Sequence, residues 1–326
     1  MKLLPGSLIA LNLLFSCMAA QAGAEDVKKP DAPPAGIDEF GISMLYPTTT
    51  NGRVWFSQWN NGKERNIESG SRDPFDENFI MRGDGEININ GQGIARISGD
   101  APRMYIYDEP RKKKWCNLEV TLYFKRIKET ADKLSYRGFG IGARSNHQDA
   151  ADKISEVNGQ IKGPALGAGY YGKILYDGRV VFQKELVHHS KAGYSVNKPK
   201  EGDRHFWDTP DRSLPTNIWV GMKFIVRNAP GNTVQMELYR DLTDGKDGGQ
   251  WEKLIEYTDK SGWTNPLLTK EIIEQSTPKG VKVIAVDEVL RNPGTSTFVR
   301  TDGIIDAECK KFGSVSTWRP EHLSSF

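Results

Sequence analysis

Strict alternation of apolar and other residues is the feature that most limits how this chain can fold. In "CNLEVTLYFKRI", residues 116–127, apolar side chains occupy every second position from Leu118 to Phe124. The stretches 217–228 and 232–241 repeat the pattern. A period of two predicts β-strands that bury one face in a core and turn the other face outwards.

Turn signals join these strands into hairpins. Asp177-Gly178 separates "GYYGKILY" from "RVVFQKELVHH", and "APGN" connects the strands at 217–228 and 232–241. Further strands are predicted at 53–59, 78–98, 251–258, 281–286, 296–301 and 304–312, and one short helix at 265–276. This pattern predicts an all-β fold, a two-sheet jelly-roll sandwich with one short helix. In such a sandwich the solvent face of one sheet often forms a groove.

The first residues have the composition of a secretory signal peptide. Lys2 precedes an apolar run, and small residues allow cleavage after Ala22 or Ala24, which predicts a signal peptide at 1–24. The apolar run is too short for a membrane span. We therefore expect a secreted or periplasmic protein. The stretch "LFSC" resembles a bacterial lipobox, so an outer-membrane lipoprotein anchored through Cys17 is the alternative.

Residues 25–37 combine charge, proline and alanine without an apolar face, which predicts a disordered linker. The rest of the chain, 38–326, is expected to form one jelly-roll domain. After cleavage only Cys116 and Cys309 remain, and in an oxidising compartment an even pair predicts a disulfide. Two free thiols are the alternative.

The balance of charge argues against several partners. The net charge of +2 gives no support to nucleic-acid binding, which usually accompanies a strong basic excess.

No metal site is predicted from the histidines. His188 and His189 are adjacent and point to opposite faces of a strand, so they do not ligate one ion together. The acidic loop "DLTDGKDGGQ" from Asp241 lacks the alternating acids of an EF-hand, so calcium is only an alternative to having no cofactor. We expect a monomer.

Polar residues concentrate on three neighbouring stretches that begin near 144, 170 and 184. The residues expected to converge on one concave surface as catalytic groups are Arg144, His147, Tyr171, Lys184 and His188. Those expected to bind substrate around them are Arg103, Asn146, Tyr170, Glu185, His189, Tyr194 and Trp219.

These residue types suit one reaction best. Polysaccharide β-elimination needs a cation or amide to neutralise a uronate carboxylate, a base to remove the C5 proton and an acid to protonate the leaving oxygen. Arg, Asn, His, Tyr and Lys are the residues concentrated here. Glycoside hydrolysis instead needs two facing acids, for which Glu185 and one of Glu119, Glu237 and Asp302 are the candidates.

Two motifs follow one another along the chain, "PRMYIYDE" with Arg103 and then "GARSNH" ending in His147. Their order resembles that of the jelly-roll alginate-lyase superfamily of concanavalin A-like proteins, which has R-x-E-L at the first position and Q-I-H at the second. The resemblance implies a concanavalin A-like fold and site roles for Arg103 and His147. The C-terminal Y-F-K-A-G-x-Y-N-Q motif is replaced by "STFVRTDG", so the resemblance does not identify a catalytic tyrosine.

Three hypotheses follow from these observations. The first is a secreted polysaccharide lyase that cleaves an anionic, uronate-containing polysaccharide. The second is a non-catalytic glycan-binding domain whose groove aromatics, such as Trp207 and Trp219, stack on sugars. The third is an envelope protein that has no sugar ligand.

Overall fold

The computed structural model describes residues 35–108, 112–130, 136–146, 155–157, 160–162, 166–189, 191–277 and 279–317. The predicted signal peptide and residues 25–34 of the linker lie outside the described residues. The elements are β1 Val54–Phe56, β2 Arg65–Glu68, β3 Arg72–Asp73, β4 Asp76–Arg82, β5 Glu86–Ile89, β6 Ile94–Gly99, β7 Arg103–Ile106, β8 Leu118–Glu129, β9 Gly138–Ser145, β10 Ser155–Val157, β11 Gln160–Lys162, β12 Leu166–Leu175, β13 Val180–Val187, β14 Lys198–Asp203, β15 Val220–Ala229, β16 Thr233–Asp241, β17 Glu252–Asp259, α1 Lys270–Ser276, β18 Ser296–Thr301 and β19 Ile304–Ser316.

Within the described residues the strands form two large antiparallel sheets. The back sheet has nine strands in the order β17-β16-β15-β8-β19-β6-β5-β2, with β1 paired to β19. The front sheet has eight strands in the order β14-β13-β12-β9-β18-β7-β4-β3. β10 and β11 form a separate hairpin. The predicted two-sheet jelly-roll sandwich with one α-helix is confirmed.

The two sheets share one apolar core built from their inner faces. The inner side chains of β8, including Leu118 and Leu122, are fully buried, as the alternation predicted. Phe124 of β8 stacks on Phe139 of β9 with ring centroids 3.9 Å apart, so this pair joins the back sheet to the front sheet. Burying a large apolar side chain of this kind contributes about 1.5–3 kcal/mol, and this core supplies the main stabilisation.

The last two strands of the chain, β18 and β19, each supply an interior strand to a different sheet. β18 lies between β9 and β7 in the front sheet, and β19 lies between β8 and β6 in the back sheet. Both pairings join residues that are far apart in sequence. The strands predicted at 296–301 and 304–312 therefore exist, and they hold the middle of the sandwich together.

Two predicted elements differ from the structure. The helix begins at Lys270 instead of residue 265, because Thr269 is its N-cap and its side chain accepts a hydrogen bond from the Ile272 N–H. No strand forms at 281–286. The apolar residues of that stretch, Ile284 and Val286, pack against the small cluster around the helix and have no strand partner.

The predicted disulfide is wrong, because Cys116 and Cys309 are both free thiols. The register of β19 against β8 places Cys309 opposite Phe124. Phe124 lies eight residues beyond Cys116, which is about 26 Å along an extended chain. A disulfide needs Cα atoms within about 7 Å, so the two thiols do not meet.

The segment from residue 38 to residue 46 covers charged residues on the outer face of the back sheet. The Glu119 carboxylate accepts hydrogen bonds from the backbone N–H groups of Leu45 and Tyr46, and Lys223 donates to it at 2.6 Å. The Tyr46 hydroxyl donates to Glu237 at 2.9 Å. Glu119 and Glu237 are therefore buried and hydrogen-bonded instead of solvated.

Candidate functional site

The outer face of the front sheet carries a continuous line of basic side chains, here called the basic row. Strand register pairs Arg82 with Arg103, Arg103 with Arg300, Arg300 with Gly140, and Gly140 with Lys173. Residues that are directly paired across strands point to the same face of a sheet. Four basic side chains from four strands therefore share one line that runs across the strand direction.

A second line, the aromatic row, lies beside the basic row on the same face. Tyr171, Gly142, Phe298, Tyr105 and Ile80 are paired in succession. Tyr105 stacks on Phe298 with ring centroids 4.4 Å apart, and Tyr171 meets Phe298 edge-on at 5.6 Å. These contacts make a small cluster separate from the main core, and they hold the base of the basic side chains rigidly.

Two glycines of β9 leave room on the outer face for side chains from the neighbouring strands β12 and β18. A Cβ atom on Gly140 would lie 3.2 Å from the Lys173 side chain and 3.3 Å from that of Arg300. A Cβ on Gly142 would lie 2.5 Å from the Phe298 ring. Because β9 has no outer side chain at these positions, Lys173 and Arg300 approach each other over bare backbone.

Asp302 is the carboxylate that lies against the basic row. Arg300 and Arg103 donate to its oxygens at 3.0 and 2.9 Å. Burial alone would raise the pKa of the Asp302 carboxyl, but the Arg300 and Arg103 guanidinium groups hold that pKa well below its usual range. Arg82 donates instead to the neutral hydroxyl of Tyr107 at 3.3 Å and, among the described residues, has no carboxylate partner.

Lys173 is the basic side chain with the most altered titration. Burial, and then the positive charge of Arg300, lower the pKa of the Lys173 amine to about 7. Its Nζ donates to Gln183 Oε1 at 2.7 Å and lies 5.7 and 5.8 Å from the ring centroids of Tyr171 and Tyr194. An amine with such a pKa is largely deprotonated just above neutrality and can accept a proton.

Tyr194 reaches the same place from the loop after β13. Its hydroxyl accepts a hydrogen bond from Arg300 Nη1 at 3.2 Å, and its ring lies 5.9 Å from that of Tyr171. Burial, and then the charge of Glu185, raise the pKa of the Tyr194 hydroxyl, while Arg300 opposes them. Tyr194 therefore keeps its proton at neutral pH and can donate it.

A hydrogen-bonded chain borders this group on β13. The Tyr171 hydroxyl donates to Glu185 at 2.5 Å, and the other Glu185 oxygen lies 2.9 Å from His188 Nδ1. Burial raises the pKa of the Tyr171 hydroxyl well above its usual value. Glu185 thus orients the imidazole of His188, whose side chain keeps 30% of its surface exposed.

Five of the residues predicted from the sequence lie together on this outer face. They are Arg103, Tyr171, Glu185, His188 and Tyr194. His147 lies outside the described residues, so its proposed role stays a prediction.

Tyr170 and Lys184 are not on the predicted concave surface. They are paired across β12 and β13, and both are fully buried on the inner face. The Tyr170 hydroxyl donates to Asp259 at 2.7 Å, and Lys184 donates to the same carboxylate at 3.0 Å. Asp259 belongs to the back sheet, so these polar groups connect the two sheets across the core.

Arg144 is also buried, where the sequence predicted an open groove. Its backbone has the left-handed φ of 53°, and the β9–β18 register shifts at this point, which breaks the alternation of side chains. The guanidinium donates to the carbonyl oxygens of Cys116 and Leu290 and to the side chains of Asn117 and Asn228. Because Arg144 is buried and hydrogen-bonded to these neutral acceptors, its role is to stabilise the fold.

Four further residues named from the sequence lie away from the basic row. The His189 ring accepts hydrogen bonds from the N–H groups of the turn that follows it. Trp219 lies on the opposite side of the sandwich, with its ring centroid 4.1 Å from Lys310 Nζ, and Trp207 is buried in the core, so neither offers a stacking surface beside the basic row. Asn146, at the end of β9, donates its backbone N–H to Ala168.

No group of three or more potential metal ligands occurs among the described residues. The Asp241 carboxylate, considered for calcium, accepts hydrogen bonds from the backbone N–H groups of Thr243, Gly245 and Gln250 and thereby shapes its own loop. No helix in the described part of the chain is long and apolar enough to span a membrane.

Sequence reasoning missed three basic members of this site, Lys173, Arg300 and Arg82. Lys173 was detectable, because it lies two residues after Tyr171 on the same strand and therefore on the same face. Arg300 belongs to "STFVRTDG", the stretch that replaces the superfamily's C-terminal motif, and Asp302 of the same stretch is predicted only as a candidate second acid for glycoside hydrolysis. Arg82 lies within the strand region predicted at 78–98 and carries no local signal; only the register reveals its neighbours.

Comparisons with known proteins give similarity in structure alone. No protein-family model and no curated protein matches the sequence. Solved structures that resemble the chain include the exoplasmic/lumenal domain of VIP36 in its Ca²⁺-bound form, with TM-score 0.37, 11% identity, and coverage of 82% of this chain and 94% of that chain. Others are a legume lectin-like domain from Entamoeba histolytica (TM-score 0.36, 11% identity, 76% and 96% covered) and the alginate lyase Aly36B (TM-score 0.36, 9% identity, 85% and 100% covered). At these scores the likeness identifies neither function nor substrate.

Proposed function

We propose that the outer face of the front sheet binds an anionic, uronate-containing polysaccharide and cleaves it by β-elimination. The observation that carries this proposal is the basic row, in which three arginines are paired directly across neighbouring strands. Like charges placed directly opposite one another destabilise a sheet. Among the described residues Asp302 is the one carboxylate hydrogen-bonded to the row, so an anionic ligand is the natural counterpart of the remaining charge.

The groups around Arg300 match the three tasks of the reaction. Arg300, together with Arg103, neutralises the uronate carboxylate, which makes the C5 proton more acidic. The neutral amine of Lys173 removes that proton. The Tyr194 hydroxyl, held by Arg300, gives a proton to the departing oxygen.

The step balances without a cofactor or water. The C5–H bond breaks and its electron pair forms the C4–C5 double bond. The C4–O4 bond breaks, and the leaving oxygen takes the Tyr194 proton while Lys173 becomes an ammonium group. Exchange with solvent then returns Lys173 to the amine and Tyr194 to the phenol.

This reaction is tested by offering purified protein a panel of acidic and neutral polysaccharides. Elimination produces the ultraviolet absorbance of an unsaturated uronate together with shorter chains. New reducing ends without this absorbance would show hydrolysis, and binding without any product would show a glycan-binding protein; either result overturns the proposed reaction.

Variants then separate the roles of the proposed groups. Lys173→Met should lower kcat by at least about 100-fold, the low end for loss of a general base. Lys270→Met, on an 82%-exposed side chain of α1, is the matched control and should leave turnover unchanged. His147→Ala tests the earlier prediction for His147: a comparable loss in a folded protein would transfer the role of base from Lys173 to His147.

We also propose export from the cytoplasm, on the basis of the N-terminal apolar segment at 1–24. Polysaccharides of this kind are met outside the cell, so the proposed location and the proposed substrate agree. Sequencing the N-terminus of the protein recovered from the medium or periplasm tests this, and a chain that retains Lys2 would contradict it.

A further inference from the structure

We infer that Arg82, together with Tyr107, forms an outlying subsite for a second acidic group of the same polysaccharide, so that the polymer lies across the strands along the basic row. This inference rests on the proposed binding of an anionic polysaccharide and adds the direction and the length of chain that is bound.

The register sets the distance between the two ends of the row. Lys173 and Arg82 are separated by four strand spacings, through β9, β18 and β7. Neighbouring strands lie ~4.8 Å apart, so the two positions are about 19 Å apart. One strand spacing is close to the length of one pyranose residue in an extended chain. A polymer that crosses the strands can thus present successive acidic groups to successive basic side chains.

The guanidinium group of Arg82 has hydrogen-bonding capacity that an anionic ligand could use. In the part of the chain that the structure describes, its Nη2 donates only to the Tyr107 hydroxyl, and its Nε, shielded from solvent, has no hydrogen-bond partner there. Among the described residues it forms no ion pair, whereas the next member of the row, Arg103, binds Asp302. A shielded, unpaired guanidinium group is unfavourable, and a carboxylate or sulfate would satisfy it with charge-assisted hydrogen bonds.

The neighbours of Arg82 increase the positive charge at this end of the row. The Arg72 guanidinium lies 5.3 Å from the centroid of the Tyr107 ring, and Arg103 is paired directly with Arg82. Tyr107 is almost fully buried, so its hydroxyl holds the guanidinium group of Arg82 in a defined orientation. The subsite is therefore built before a ligand arrives.

The test compares short and long substrates on two variants. In Arg82→Gln the positive charge is lost and the size is nearly kept; Arg96→Gln, on a 61%-exposed arginine of the back sheet, is the matched control. The probes are a trimer and an octamer of a homopolymeric uronate. Relative to its effect on the trimer, Arg82→Gln should raise KM for the octamer about tenfold, the loss of roughly one charge-assisted hydrogen bond.

Each outcome decides the inference. Equal effects on trimer and octamer, or no effect on either, would overturn the Arg82 subsite while leaving the proposed reaction intact. If the protein shows no turnover, calorimetry of octamer binding replaces KM: weaker binding by Arg82→Gln with a smaller salt dependence supports the subsite although the proposed reaction has failed. If the wild-type protein binds no acidic polymer, both the subsite and the proposed function are wrong. Arg82→Lys, which keeps the charge, should retain most of the octamer preference, and loss of that preference would also count against the inference.

Discussion

Removal of the Lys173 amine should change how the stability of the protein depends on pH. In the folded protein the pKa of Lys173 is lowered from 10.5 to about 7, first by burial and then by Arg300. Between these two values the unfolded chain binds a proton that the folded chain does not bind. The free energy of unfolding therefore rises with pH across this window, and the destabilising contribution is fully present only below about pH 7.

The size of the effect follows from the two pKa values. Each pH unit between them changes the unfolding free energy by about 1.4 kcal/mol, which amounts to about 5 kcal/mol over the whole window. Between pH 7 and pH 10 we expect about 3–4 kcal/mol from Lys173. Lys173→Met has no amine to titrate, so this contribution vanishes in the variant.

Urea unfolding of the wild type and of Lys173→Met at both pH values measures the effect. The hydrogen bond to Gln183 that the variant loses is an additive term that cancels when the change with pH is compared. Other groups that titrate in this range contribute equally to both proteins. The variant should be the relatively more stable protein at pH 7, and this advantage should disappear at pH 10.

The same titration should govern catalysis. If the deprotonated amine is the base, kcat/KM rises with pH up to about 7 and stays level above it, until a required acid loses its proton. An identical pH dependence of stability in wild type and Lys173→Met would refute the lowered pKa. If the pH-dependent stability difference is found as expected but Lys173→Met keeps full turnover, only the role of Lys173 as the base would be refuted.

Three further outcomes can be checked on the folded protein. A thiol reagent should label Cys116 in the native protein and Cys309 only after unfolding, and reduction should leave the electrophoretic mobility unchanged. If neither thiol could be labelled before reduction, even in the unfolded protein, the two cysteines would form a disulfide after all. Lys223→Met should destabilise the protein by about 3–5 kcal/mol in denaturant unfolding because it leaves the buried Glu119 carboxylate without its cation, and adding Glu119→Gln should recover part of that loss. Deleting residues 25–37 should leave the thermal midpoint nearly unchanged, whereas a fall of many degrees would show that this segment belongs to the core.

The period of two identified most of the strands from sequence alone, because one buried face leaves a direct trace in the order of residues. The same rule was not applied strictly to β12 and β13. Tyr170 and Lys184 were grouped with their neighbours Tyr171 and Glu185, although adjacent residues of a strand point to opposite faces. Their polar ends suggested exposure, whereas in the structure they share Asp259 across the core.

The rest of the site depends on register and on backbone geometry that local sequence does not encode. Arg144 turns inward because its left-handed φ breaks the alternation at the end of β9. Arg82, Arg103 and Arg300 lie on three different strands, and Arg300 is nearly two hundred residues beyond Arg103. Their alignment follows from which strands are neighbours, and that order emerges only when the whole sheet is formed.

The interior positions of β18 and β19 determine when this chain can fold. Without β18 and β19, four strands that are interior in the finished sheets become open edges: β9 and β7 in one, and β8 and β6 in the other. Pairings between such distant parts of a chain slow folding, and unpaired edges invite aggregation. The chain therefore reaches its native state only after its last strands have been synthesised, so folding follows translation and cannot proceed domain by domain from the N-terminus.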